Sequence, residues 1–270
     1  MTVRLVTDSN AMLPAALLER FAVSVVPLSV VLDGVAHRED RLDPIAFCAS
    51  LRAGADVSTA APSVGQLLAV YESLADDDAT AIVSVHLGSN RSATVGSAQL
   101  AARESPVPVT VVDTGTASFV EGCSVWRAAE VLEAGGGIDA AVAAAHAVAA
   151  SAASVFTIGE IARAVDGGRL LVADASGVPV FVSIGSDMHQ EGTVTSIEEA
   201  VRSMTAVVGS HDGPLRVGVG DADAEDAAHA LAAALGALPN VVEVVRYTVG
   251  PSVAAHTGAG TVGAVYHLLA

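Results

Sequence analysis

Four short stretches of this 270-residue chain gather hydroxyl, carboxyl and amide groups between runs of valine, leucine and alanine. They are Thr7-Asp8-Ser9, Ser58-Thr59-Ala60-Ala61-Pro62-Ser63, Gly88-Ser89-Asn90-Arg91-Ser92-Ala93-Thr94 and Asp113-Thr114. Hydroxyls just ahead of a helix can do either of two jobs. They can cap it by accepting from its free N–H groups, or they can join those groups and the helix dipole in holding a carboxylate or phosphate. At Thr59 and Ser92 the sequence leaves both open. Later in the chain, Arg169 follows Gly167-Gly168, where it could bind an oxyanion through both arms of its guanidinium or sit in a surface turn. His256 lies in Ala254-Ala255-His256-Thr257-Gly258-Ala259-Gly260, among small residues that let a ligand or another backbone come close.

Other chemistries fit less well. Ser92 or Ser89 with His256 and an aspartate can be drawn as a hydrolase triad, but no GxSxG turn is present to expose such a nucleophile. Gly218-Val219-Gly220-Asp221 lacks the third glycine of a dinucleotide fingerprint, and Asp221, Asp223, Glu225 and Asp226 would repel a pyrophosphate. The histidines show no HxxxH spacing and no pairing with cysteine, so a zinc site is not expected.

Composition narrows the field further. All thirteen basic residues are arginine, the formal charge is −17, and there is no lysine for a Schiff base or a phosphate-binding P-loop. Such a chain has no basic stripe for a nucleic-acid backbone. The mean hydropathy of +0.55 comes from alanine and valine spread along the chain. A long uncharged run, 140–159, contains His146, Ser151, Ser154 and Thr157 and ends in glycine, as a buried helix and strand would, so no membrane-spanning segment is expected. Cys48 and Cys123 stand apart in apolar surroundings and read as buried free thiols. With an N-terminus that lacks an apolar leader, they place the chain in the cytoplasm.

The elements that must position these groups follow from periodicity. Residues 3–6, 23–32, 81–85 and 109–112 read as extended runs. Residues 13–20, 93–103 and 118–133 have helical patterns. Asp43-Pro44 has N-cap and first-turn chemistry, and Ser63 with Gln66 forms a capping-box signature for a helix to about residue 74. Helices between short apolar strands predict a parallel sheet covered on both faces, with ligands beyond the carboxyl ends of its strands. The second half differs. Runs 169–173, 178–183 and 192–195 suggest an antiparallel meander, and Ser196 with Glu199 opens a helix to about residue 208. Strand 215–219, an alanine-rich helix over 223–235, strand 241–246 and a closing strand over 261–269 follow. The fold class is therefore α/β in two lobes: an N-terminal domain, 1–153, built on a parallel sheet between helices, and a C-terminal domain, 154–270, with a mixed or antiparallel sheet.

Over nearly its full length the chain resembles the DegV proteins, bacterial fatty-acid-binding proteins of which some present lipid to a fatty acid kinase. Thr7-Asp8-Ser9 looks like the family's TDS start, and Val26-Pro27-Leu28 with Asp33-Gly34 resembles its VPL…DG segment. Thr59-Ala60-Ala61-Pro62-Ser63 is similar to its TSQPS loop, and Ser89-Asn90-Arg91-Ser92-Ala93-Thr94 to its SxxSGT loop. Asp113-Thr114 stands at its DS, Gly167-Gly168-Arg169 at its GGR, and His256-Thr257-Gly258-Ala259-Gly260 at its HxGPG ending. Ala60, Gly88, Ala93 and Ala259 depart from the pattern.

The resemblance implies a long-chain fatty acid held between two α/β lobes in an apolar tunnel, with no other cofactor. It implies that the carboxylate meets Thr59, Ser92 and Ser89, with Arg169 and His256 as further head-group or phosphate partners. Thr7, Asp8, Ser9, Pro62 and Asp113 would support those loops. It also implies a partner kinase that forms an acyl phosphate on the bound lipid, this chain being the non-catalytic subunit.

Overall fold

A computed structural model describes residues 2–166, 174, 176–185 and 187–269. The chain opens with β1 (Val3–Asp8), α1 (Ala15–Phe21), β2 (Ser24–Val26), β3 (Ser29–Leu32) and β4 (Val35–Arg38). Next come α2 (Pro44–Arg52), β5 (Val57–Ala60), α3 (Val64–Asp76), β6 (Ala81–His86) and α4 (Thr94–Glu104). The first half ends with β7 (Val109–Asp113), α5 (Phe119–Glu133) and α6 (Ile138–Ser151). The second half contains β8 (Ala153–Thr157), α7 (Ile161–Asp166), β9 (Val178–Ile184), β10 (Asp187–Val194) and α8 (Ile197–Gly209). It closes with β11 (Leu215–Asp221), α9 (Glu225–Gly236), β12 (Val241–Thr248), α10 (Pro251–Thr257) and β13 (Val262–Leu268).

Two compact units emerge. The first comprises Met1–Val31, Ala36–Arg41 and Thr59–Ala150, and the second Leu32–Val35, Leu42–Ser58 and Ser151–Ala270. The chain crosses between them at 150/151, and also early, so that α2 belongs with the second unit although a division at 153/154 assigns it to the first. A small sheet in the order β4-β3-β5 is formed by the segments where the early crossings occur.

The first unit is built on a four-stranded sheet, β2-β1-β6-β7, with every pairing parallel. Helices cover both faces, and the central strand β6 is buried along its whole length, which is why it reads as a near-continuous apolar run. On one face Leu5, Val83, Val85 and Val112 pack against Val125, Ala128, Ala141 and Ala145 of α5 and α6. On the other, Val6, Val26 and Ile82 meet Leu67 and Tyr71 of α3 and Ala98 and Ala101 of α4. Full burial of a side chain such as Leu67 is worth about 1.5–3 kcal/mol. The helix starts obey the local signals. Asp43 accepts from the Ala46 N–H at 2.8 Å, and Ser63 and Gln66 form a complete capping box at α3.

The second unit has a six-stranded mixed sheet, β10-β9-β8-β13-β11-β12, antiparallel except for β11 with β12. The antiparallel meander is present as β8-β9-β10. Of the runs expected to form it, 169–173 lies outside the described residues. One face is covered by α8 and α9 through Met204, Val208, Leu231 and Leu235. At α8, Ser196 accepts from the Glu199 N–H, but Glu199 reaches back to Thr195 instead of Ser196, so the expected capping box is half formed. The uncharged run 140–159 resolves into α6 and β8. Among the described residues, no helix is long and apolar enough to cross a membrane. Cys48 and Cys123 are buried and not joined in a disulfide, and burial first of all pushes the Cys48 thiol up to about 11.

Candidate anion site at the carboxyl edge of the parallel sheet

The register of the parallel sheet sets Thr7 beside Val85 and His86 beside Asp113, so β1, β6 and β7 end level with one another. Their following loops therefore share one edge and bring together Thr7, Asp8, Ser9, Ser89, Ser92 and Asp113. The end of α3 turns directly into the start of β6, so the opposite end of α3, with Pro62 and Ser63, points toward the same edge. Pro62 is buried. Thr59 is half-buried on β5, a strand where the sequence suggested a loop.

Ser63 is a cap and its hydroxyl is consumed at α3. Helix α4 begins differently: its N-cap is Ala93, with no side-chain cap. Ser92 sits one residue earlier, half-buried, its Oγ 2.9 Å from the Thr94 hydroxyl and accepting from the Thr94 N–H at 3.3 Å. Helix α5 also starts without a side-chain cap, at Ser118. Two helices at this edge thus start without a side-chain N-cap, and helix starts are ends hospitable to anions.

The loops are held to one another by short bonds. Asp113 Oδ1 accepts from the Ser89 N–H at 3.1 Å and the Gly115 N–H at 3.0 Å. Burial pushes the Asp113 carboxyl up, but hydrogen bonds from the Ser89 hydroxyl and from these two amides outweigh it and hold it below the usual range. The Gly88 N–H donates to the Thr116 carbonyl at 2.7 Å. Ser9 donates to the buried Glu39 carboxylate and accepts from the Leu28 N–H at 2.9 Å, which ties the end of β1 to the β3–β4 region.

Behind the edge lies a buried polar chain whose histidine and hydroxyls the sequence did not mark. His86 is wholly buried, with Nδ1 2.9 Å from Asp8 Oδ2 and Nε2 2.7 Å from Ser84 Oγ. Ser84 Oγ is in turn 2.9 Å from the Tyr71 hydroxyl. Thr7 donates to Glu121 at 3.0 Å. Glu121 is wholly buried: loss of solvation first, and then the neighbouring Asp8 charge, raise its carboxyl well above the ordinary range. A strand-spaced pair, Ser84 and His86, inside an apolar run was the available signal, as was Glu121 in an otherwise apolar stretch of α5.

In the second unit, His256 is half-buried in the last turn of α10. The loop beyond it packs tightly on residues 159–160. Gly258 has φ +82°, and a Cβ there would meet the Glu160 side chain at 2.4 Å, while a Cβ on Gly159 would overlap the Ala259 carbonyl oxygen. Arg169, with Gly167 and Gly168, lies outside the described residues.

A family model described as "Uncharacterised protein, DegV family" matches residues 2–268. The chain belongs to the DegV family. A DegV domain-containing protein of Streptomyces coelicolor is 34% identical over 273 residues, which cover 97% of each chain. Among solved structures, a DegV family protein from Thermus thermophilus, described by its fatty acid binding, superposes with a TM-score of 0.90 at 31% identity over the whole of both chains. A DegV lipid-binding protein from Thermotoga maritima gives 0.91 at 26% identity over 100% of this chain and 99% of that one. The α/β architecture, with its N-terminal parallel and C-terminal mixed sheet, is thus that of DegV proteins. The DegV segments at Thr7, Ser89 and Asp113 are the ones whose side chains lock the loops of this edge together.

Proposed function

We propose that this chain binds a long-chain fatty acid, with the carboxylate at the carboxyl edge of the parallel sheet. The observation that carries the reading is its full-length likeness, at 31% identity, to the fatty-acid-binding DegV protein of Thermus thermophilus. The site's own chemistry supports it. The Ser92 hydroxyl stands at the uncapped start of α4, where a carboxylate would find donors in place of water. An acyl chain in an apolar tunnel gains about 0.8 kcal/mol per buried CH₂, so the head group needs only to fix polarity and keep its charge satisfied.

In this reading Thr59, Ser92 and Ser89 meet the carboxylate, and His256 and Arg169 are further head-group or phosphate partners. The chain presents lipid to a kinase that makes the acyl phosphate; it is not itself the catalyst. The rival reading, an acyl hydrolase using Ser92 or Ser89 with His256, gains nothing from the bonds those serines make: Ser92 engages Thr94 and Ser89 engages Asp113. Titration of delipidated protein with oleate, with inorganic phosphate and with a model ester tests the readings together. Saturable oleate binding, with neither phosphate-driven stabilisation nor ester turnover, is expected. Ester turnover that is lost in Ser92→Ala would overturn it.

A further inference from the structure

Strand β6 is buried along its whole length, yet it carries Ser84 and His86. Polar groups in such a place persist only when each finds a partner. Asp8 as a carboxylate can only accept, so the His86 nitrogen facing it, Nδ1, bears a proton. One arrangement then leaves no donor idle: Tyr71 O–H donates to Ser84, Ser84 O–H to His86 Nε2, and His86 Nδ1–H to Asp8. Burial pushes the Tyr71 phenol up, which keeps the first proton of this chain in place.

The Ser84–His86–Asp8 distances are those of a hydrolytic triad, but the geometry closes off that use. Ser84 and His86 are fully buried, and the serine oxygen is already occupied by Tyr71. The chain instead leads to the anion loop. Asp8 Oδ2 also accepts from the Leu87 N–H at 3.3 Å, the first amide beyond β6, and Oδ1 from the Asn10 N–H at 3.0 Å. The His86 carbonyl accepts both the Thr114 N–H at 3.2 Å and the Thr114 hydroxyl at 2.9 Å, and Thr114 Oγ1 accepts from the Thr116 N–H. Thr116 then receives the Gly88 N–H. His86 is thus fastened to β1 by its ring and to the loop after β7 by its carbonyl, immediately before the loop that carries Ser89 and Ser92.

We propose that His86, held by Asp8 on one side and by the Ser84–Tyr71 hydroxyl pair on the other, is the positioning residue of the carboxylate-binding loop. It touches no ligand; it fixes where β6 ends and where the donors of residues 88–94 begin. This inference rests on the fatty-acid reading above for its ligand, but the state of the imidazole can be measured without one.

The first arm of the test is the ¹⁵N imidazole spectrum of the wild-type protein. A proton on Nδ1, facing Asp8, is expected; a ring with its only proton on Nε2 would overturn the proposal. The second arm is oleate affinity in Ser84→Ala, His86→Asn and His86→Phe. His86→Asn keeps a donor toward Asp8 and should stay within a few-fold of wild type, whereas folded His86→Phe should bind about tenfold more weakly or worse, the scale of one lost charge-assisted bond. Ser84→Ala strands Nε2 and should weaken oleate binding several-fold. If His86→Phe does not fold, the Ser84→Ala affinity decides. Wild-type-like binding in a folded His86→Phe, or in Ser84→Ala, would contradict the proposal. A wild-type protein that takes up no oleate would instead remove the functional reading and leave the tautomer measurement standing.

Discussion

The backbone of Gly88 runs so close to that of Gly115 that a Cβ at position 88 would lie 2.6 Å from the Gly115 carbonyl carbon and 2.8 Å from its Cα. This approach lets the Gly88 amide reach the Thr116 carbonyl and locks the loop after β6 to the loop after β7. The departure at Gly88 thus has a physical correlate in this chain. Gly88→Ser should not improve the site. It should force the two loops apart and cost about 1–3 kcal/mol, as overpacking does. Thermal unfolding checks this: an unchanged or raised midpoint would show that the loops yield freely.

Ser92→Ala and Thr59→Val each remove a hydroxyl assigned to the carboxylate. Each should weaken fatty-acid retention by about 0.5–1.5 kcal/mol, more where the ionised head group is left short of a donor. Calorimetric titration with oleate measures it. Ser63→Ala is the internal control. It loses the α3 cap and about 1 kcal/mol of stability while sparing the head-group donors. Equal oleate affinity in all three variants would remove the hydroxyls from the site.

Burial first, and then the Asp8 charge, raise the folded pKa of Glu121 above that of the unfolded chain. Its contribution to stability is complete below the ordinary carboxylate range, near 4.3, and is lost as pH rises through the folded value. Wild-type stability should therefore decline across that window. Glu121→Gln keeps the shape without the charge and should flatten the decline, matching or exceeding wild type at its upper end. Denaturant midpoints from about pH 4 upward report it; parallel curves for the two proteins would show that Glu121 does not titrate there.

Asp113 has the opposite sign. Its folded pKa is lowered by the bonds from Ser89 and Gly115, so its contribution is present above the unfolded value and is lost as pH falls through the folded one. Asp113→Asn should remove part of the acid-side loss below about pH 4. The amide exchange of Ser89 and Gly115 should quicken in that variant. Protection equal to wild type would mean that the charge does not hold these loops.

The parallel sheet and its loops were legible because they rest on local signals. Continuous apolar strands, the Ser63–Gln66 box and the Asp43-Pro44 cap all act within a few residues. Strand β5 was not: Val57-Ser58-Thr59-Ala60 has neither length nor alternation, and only pairing in the β4-β3-β5 sheet makes it a strand. Helix α10 had a signal that went unread, the proline at its first position after Gly250. The passage of α2 into the second unit depends on tertiary packing with no sequence mark. The same is true of the buried chain behind the site. Ser84 and His86 stood in view as polar residues in an apolar strand, but their partner Asp8 is 78 positions away, and no spacing rule joins them.

Native mass spectrometry of freshly purified protein, followed by denaturation and identification of what is released, tests the central claim most directly. The account expects a non-covalent adduct that leaves on denaturation and has the mass of a fatty acid. A clean apo mass that stays apo after incubation with oleate and palmitate would contradict it.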